Sequence, residues 1–141
     1  MIFKNILVFS LVTLFLCSCG SDYPQDFEFD GFVGEEKITF EAEQGFGDII
    51  HCELVVNKKD GRVIKYFDTF CTQKLDSVFV KTTDYLAYYS GLGGNFEKMV
   101  VIKAQKQFDD YLVKIKKAKM ERASKLLDIT FRTMPNLPTE P

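Results

Sequence analysis

The 141-residue chain has no tryptophan, one histidine and four prolines, and its 18 Lys+Arg against 20 Asp+Glu leave a net charge of −2. Each shortage removes a class of function. A near-neutral chain offers no overall electrostatic footprint for nucleic acid, so no nucleic-acid partner is expected. With His51 as the sole histidine, on the polar side of its segment, neither a Ser-His-Asp nor a Cys-His arrangement can be assembled. The four cysteines include no Cys-x-x-Cys pair, which removes zinc-ribbon and thiol-redox motifs. Few glycines and prolines, beside 46% hydrophobic and 14% aromatic residues, exclude a collagen-like or disordered chain. What remains is the make-up of one folded domain, with no cofactor implied and no catalytic or metal-ligating residue assigned.

The N-terminus is more informative. Residues 1–18 start with a short positive segment at Lys4, followed by an apolar run from Ile6 to Leu16. Eleven residues fall well short of the roughly 20 needed to cross a hydrocarbon core of about 30 Å, so the segment reads as a secretory signal peptide. Its end, Leu16-Cys17-Ser18-Cys19-Gly20, resembles the lipobox of bacterial-type prolipoproteins, with Cys17 as a departure at the second position. The resemblance implies cleavage before Cys19, a diacylglycerol on its thiol and a second acylation site, for palmitate or a similar chain, on its new amino group. Each buried CH2 adds about 0.8 kcal/mol, so two or three chains anchor a protein stably. The implied location is the cell membrane or, since Gly20 is not the aspartate that retains enteric lipoproteins, the outer membrane, with the domain facing the periplasm or the exterior.

With Cys17 removed and Cys19 acylated, Cys52 and Cys71 remain in a non-cytosolic compartment. They are a candidate disulfide. Two buried free thiols fit the sequence as well.

Residues 19–26 are polar and read as a lipidated tether, and a domain follows over residues 27–127. Phe27, Phe29, Gly31 and Val33 alternate before Gly34-Glu35, and Ile38, Phe40 and Ala42 alternate after it. A type II′ turn there sets Phe29 opposite Phe40 and Phe27 opposite Ala42. A second hairpin turns at Lys58-Lys59-Asp60-Gly61, pairing Val56 with Ile64, Leu54 with Tyr66, Cys52 with Asp68 and Ile50 with Phe70. In that register Cys71 faces away from Cys52, so a disulfide requires the chain to bend between Asp68 and Thr72. Two further strands are expected, Leu75–Thr82 and Asp84–Ser90, the latter with Tyr85, Ala87 and Tyr89 on one side. After a glycine-rich stop, Asn95 is a fitting N-cap for a helix whose apolar positions Val101, Ala104, Phe108, Tyr111, Ile115 and Ala118 step by three and four. That stripe thins after Ala118, and residues 128–141 read as a disordered tail. The expected architecture is α+β, an antiparallel meander of about six strands with one long C-terminal helix on one face.

Four features bear on chemistry. Residues 19–94 hold 14 acidic and 7 basic residues, and residues 95–141 hold 6 acidic and 10 basic. The cations Lys114, Lys116, Lys117, Lys119, Arg122 and Lys125 suit an exposed helix end, or a basic prong toward anionic headgroups. Gly91 to Asn95 before a helix partly matches a phosphate cradle but lacks the Gly-Lys-Ser/Thr sequel. Asp68, Thr72 and Asp76 loosely match a calcium loop, with Phe70 and Cys71 at ligand positions. Glu41 and Glu43 are the carboxylates an enzyme would use. The scarcity of catalytic residue types favours a non-enzymatic binding or structural module, partnered by an envelope protein or polymer. An enzyme, or accessory subunit, acting on envelope carbohydrate or peptide is the alternative, and so is a small-ligand carrier between sheet and helix.

Overall fold

A computed structural model describes residues 23–45, 47 and 50–133. The signal segment, Cys19 and residues 134–141 lie outside them. Six strands, β1 (Phe29–Val33), β2 (Glu36–Gln44), β3 (Ile50–Asn57), β4 (Val63–Asp68), β5 (Ser77–Lys81) and β6 (Leu86–Ser90), are followed by helix α1 (Asn95–Thr133). The strands form one antiparallel sheet in chain order, and α1 packs on one side of it: the fold is α+β, as the alternation predicts.

Both hairpin registers follow from turn chemistry. Gly34 takes a φ of +63° as the first turn residue, the position a II′ turn gives to glycine, and Phe29 faces Phe40. At the second turn Lys58 N–H bonds the Arg62 carbonyl at 2.8 Å, with Gly61 at φ +83°, and Val56, Leu54 and Cys52 face Ile64, Tyr66 and Asp68. The side chains that alternate toward α1, among them Ile38, Phe40, Leu54, Val56 and Tyr66, are fully buried against Phe108 and Ile115.

The structure departs from the sequence reading at four places. First, the domain begins at Tyr23, not after residue 26. Tyr23 is only 7% exposed, its ring packs edge-on to Phe27 and tilted against Phe40, and its hydroxyl donates to Asp68 at 3.1 Å. A 3-10 turn at Gln25–Phe27 diverts the chain, so Phe27 packs in the core beside Phe40 instead of pairing with Ala42. Second, β4 ends at Asp68, leaving Ile50 without the expected partner; Phe70 is solvent-exposed. Third, β5 and β6 are shorter than expected, and Tyr85 belongs to the turn, where Thr82 N–H bonds its carbonyl at 2.9 Å.

Fourth, α1 runs through residues 128–133, part of the expected disordered tail. Nothing before Pro135 breaks a helix, and Asp128 pairs with Arg132 one turn on at 3.0 Å. At its start, Lys98 N–H bonds the Gly94 carbonyl, so Gly94 caps the helix and Asn95 is its first residue. The 39 residues span about 58 Å. From Met120 onward every described residue of α1 is exposed, so the end projects past the sheet.

Cys52 and Cys71 are joined, with Cα atoms 5.2 Å apart. The bend this requires is built by Asp68, which is fully buried. Its carboxylate accepts from Thr72 N–H at 2.9 Å, Gln73 N–H at 2.6 Å and the Tyr23 hydroxyl. Cys71 and Gln73 both adopt positive φ, 49° and 66°, which turns Cys71 back onto the face of Cys52. Cross-linking residues 19 apart is worth about 3 kcal/mol, so urea unfolding with and without reductant should differ by about that amount. In the same assay Tyr23→Ala should lose about 3 kcal/mol and Tyr23→Phe about 1 kcal/mol, where a tether residue would lose nothing measurable.

Candidate functional site

The helix covers one face of the sheet; the residues that alternate the other way form its open face. Three cross-strand rows make up most of it. Thr39, Val55, Lys65, Phe79 and Tyr88 are successive neighbours from β2 to β6. So are Lys37, Asn57, Val63, Lys81 and Leu86, and so are Glu41, Glu53, Phe67, Ser77 and Ser90. Each row starts polar at β2, and the large apolar side chains gather on β4 to β6. Phe67 and Phe79 are half-buried, while Tyr88 and Leu86 are 59% and 66% exposed.

On the β2–β3 side most of the carboxylates have a basic side chain beside them. Glu53 pairs with Lys65 at 2.7 Å, Glu43 with His51 at 3.4 Å, and Asp30 with Lys37 at 3.8 Å. His51 also lines a shallow depression of about 300 Å³ with Phe67, Thr69, Ser77 and Tyr88. A polar group is thereby brought to the edge of the aromatic patch, an arrangement suited to contact rather than to proton transfer.

Glu41 and Glu43 do meet in space. Together with Glu28, Gln44 and Ile50 they rim a depression of about 770 Å³ where β2 runs on past the start of β1. The side chain of Glu43 is 61% exposed, and a general acid needs a carboxyl desolvated in a cleft. The remaining sequence candidates are occupied by the chain itself. Asp68 and Asp76, which loosely match a calcium loop, accept backbone N–H groups of Thr72, Gln73 and Thr69, the last at 2.7 Å. No group of three or more potential metal ligands occurs among the described residues. At the helix start the Glu97 carboxylate lies over Gly93 and accepts from Ser90 N–H at 3.4 Å, so the glycine-rich stretch already has an acidic group of the chain against it.

Half of the basic prong turns back onto the domain. Lys119 donates to the carbonyls of Gln25 and Asp26 at 3.1 and 2.9 Å. Arg122 lies over the Phe29 ring at 4.4 Å and reaches the Asp30 carbonyl, passing where a side chain on Gly31 would stand. Lys114 sits 4.8 Å over the Tyr111 ring. Lys116, Lys117 and Lys125 stay exposed.

A polar brace that sequence reasoning missed ties both hairpin turns to the helix. Lys58 bonds Glu36 and Tyr111, and Tyr111 also donates to Glu36 at 3.0 Å. Burial works to raise the Glu36 carboxyl, but the hydrogen bonds from Lys58 and Tyr111 and the Lys58 charge outweigh it and hold Glu36 below its ordinary value. Burial likewise opposes the Lys58 charge, and the same partners reverse the sign and raise it. Burial raises the Tyr111 hydroxyl, so it stays protonated as a donor at neutral pH. Each of the three groups has its partners inside the brace, which ties the two turns to the helix. A carboxylate depressed by folding stabilises above the unfolded value of about 4.3, and that contribution is lost as pH falls through the folded value. The raised Lys58 behaves oppositely, contributing below about 10.4 and losing its contribution as pH rises through its folded value. Glu36→Gln should therefore flatten the acid limb of a stability–pH curve below about pH 4.5, with the parent curve falling faster there; equal slopes would refute the brace.

Comparison of the chain with protein-family models, with curated proteins and with solved structures finds no match.

Proposed function

We propose that this chain is a lipid-anchored, non-enzymatic binding module of a bacterial cell envelope. Acylated Cys19 holds it at the cell membrane or outer membrane, and the open sheet face meets an envelope protein or polymer. The observation that carries the binding half is the patch of Phe67, Phe79, Leu86 and Tyr88 on a face that no element among the described residues covers. Apolar surface gathered on one side of a sheet and rimmed by charge is the composition of a contact surface. The space between sheet and helix is packed by Phe40, Tyr66 and Phe108, all fully buried, which gives a ligand carrier no support.

Two features support the anchor. The lipobox-like sequence around Cys19 implies it, and the Cys52–Cys71 bond suits the oxidising compartment to which a signal peptide leads. No helix among the described residues is long and apolar enough to cross a membrane.

Intact-mass analysis of protein purified from membranes tests the anchor. The expected species starts at Cys19 with added acyl mass, and Cys19→Ala moves the protein to the soluble fraction. A chain that keeps Met1 and carries no added lipid would refute it. The face is tested by crosslinking in intact cells: Phe67→Ser with Phe79→Ser should reduce the partner adducts several-fold while the Cys19 species is unchanged, and undiminished adducts would place the contact elsewhere.

A further inference from the structure

We propose that two copies of this chain pair edge to edge through β6, Leu86–Ser90, about a two-fold axis at Ala87, joining their sheets into one of twelve strands. The inference depends neither on the anchor nor on the open-face partner.

The two edges of the sheet differ. At β1 one cation from α1, Arg122, lies on the strand at the Asp30 carbonyl, and a second, Lys119, holds the carbonyls of Gln25 and Asp26 in the turn just before it; charged side chains over an edge are what keeps a strand from recruiting another. At β6 there is no such guard. Leu86-Ala87-Tyr88-Tyr89-Ser90 contains no charge, no proline and no glycine.

Hydrogen bonds on either side of β6 fix which backbone groups point outward. Thr82 N–H bonds the Tyr85 carbonyl and Gly91 N–H bonds the Asp76 carbonyl, so the alternation turns Ala87 and Tyr89 toward β5, and Leu86 and Tyr88 toward the free edge. Ser90, the third outward residue, is occupied: Glu97 takes its N–H and Gly93 N–H takes its carbonyl. Among the described residues nothing bonds the outward amides and carbonyls of Leu86 and Tyr88.

These two residues determine the register. With Ala87 on the axis, Leu86 of each copy faces Tyr88 of the other, and the pair exchanges four backbone hydrogen bonds. The smallest side chain of the strand meets itself at the axis, and on the open face each Tyr88 lies beside Leu86 of the second copy. One step outward Tyr85 meets Tyr89, and no like charges are opposed. Apolar surface is concentrated on this margin: among the described residues, seven of the sixteen exposed large hydrophobic ones fall between positions 85 and 102. Phe96, 70% exposed, stands edge-on to Tyr89 at the start of α1 and would meet Tyr85 of the second copy.

The test is cysteine crosslinking of the full chain in its own membranes, read on non-reducing gels. Across a non-hydrogen-bonded pair the two Cα atoms at position 87 lie about 4.5 Å apart, within disulfide reach. Ala87→Cys should give roughly tenfold more covalent dimer than Lys81→Cys, the margin a fixed geometry holds over collision. The parent chain sets the background and reports separately any dimer through an unacylated Cys19. Tyr89→Cys alone should stay near background, while Tyr85→Cys coexpressed with Tyr89→Cys should crosslink. Adding Tyr88→Pro, which removes an outward N–H without breaking a bond to β5, should return Ala87→Cys to background with the thermal melt preserved. Dimer at 87 no greater than at 81, dimer that survives Tyr88→Pro, or a residue-87 thiol shielded by lipid until detergent is added would each overturn the proposal.

Discussion

One helix about 10 Å across has to cover a sheet whose six strands, about 4.8 Å apart, are more than twice as wide. Most other features of the structure answer that mismatch. The helix crosses from β6, where it starts, to β1, where Arg122 rests on Phe29. It leaves β2, β3 and the end of β4 short of cover on one side, and two irregular segments fill that gap. Tyr23 and Phe27 come from the N-terminus to stack on Phe40. The segment after Asp68 folds over Cys52, is bonded to it through Cys71, and is tied to the helix by Gln105, which accepts Leu75 N–H at 2.7 Å and donates to the Gln73 carbonyl. Asp68 serves both fillers at once, taking the Tyr23 hydroxyl on one side and two loop amides on the other. A fully buried carboxylate costs several kcal/mol unless its oxygens are satisfied, and here its partners come from the two segments that have no sheet of their own.

The strands, their order and the hairpin registers were legible in the residues because each rests on a local rule: alternation with period two, and glycine where a turn needs positive φ. Cys52 opposite Asp68 is the clearest case, and the bend the disulfide would require could be read from the same register. What was illegible is long-range. Tyr23-Pro24 in a polar stretch looks like tether, and only the space beside α1 makes it core. Glu36, Lys58 and Tyr111 are separated by 22 and 53 residues, and no periodicity brings them together. The reach of α1 through Thr133 was missed for another reason: thinning of an apolar stripe reports loss of packing, and a helix with good propensity and an i,i+4 ion pair continues without packing.

The open face also leaves a mark in the residues. Tyr66-Phe67 and Val78-Phe79-Val80 are apolar on both parities, whereas the segment Ile38 to Glu43 alternates cleanly. A strand covered on one side only has no need of phenylalanine on the other, so an apolar run in place of alternation marks a strand that uses both faces. That criterion separates β4 and β5 from β2 before any coordinates exist, and it locates the patch of Phe67 and Phe79.

Polarity is therefore distributed along two gradients that point the same way. Across the open face, carboxylates and their cations crowd β2 and β3, while aromatic rings crowd β4 to β6. Along the edges, Arg122 lies on β1 at the Asp30 carbonyl, while no charged side chain bonds Leu86 or Tyr88 of β6 among the described residues. The two gradients meet at β6: the aromatic end of the open face, Phe79 and Tyr88, is continuous with the edge whose outward backbone groups at Leu86 and Tyr88 have no partner among the described residues, so contact surface and free hydrogen-bonding groups lie on the same margin of the sheet.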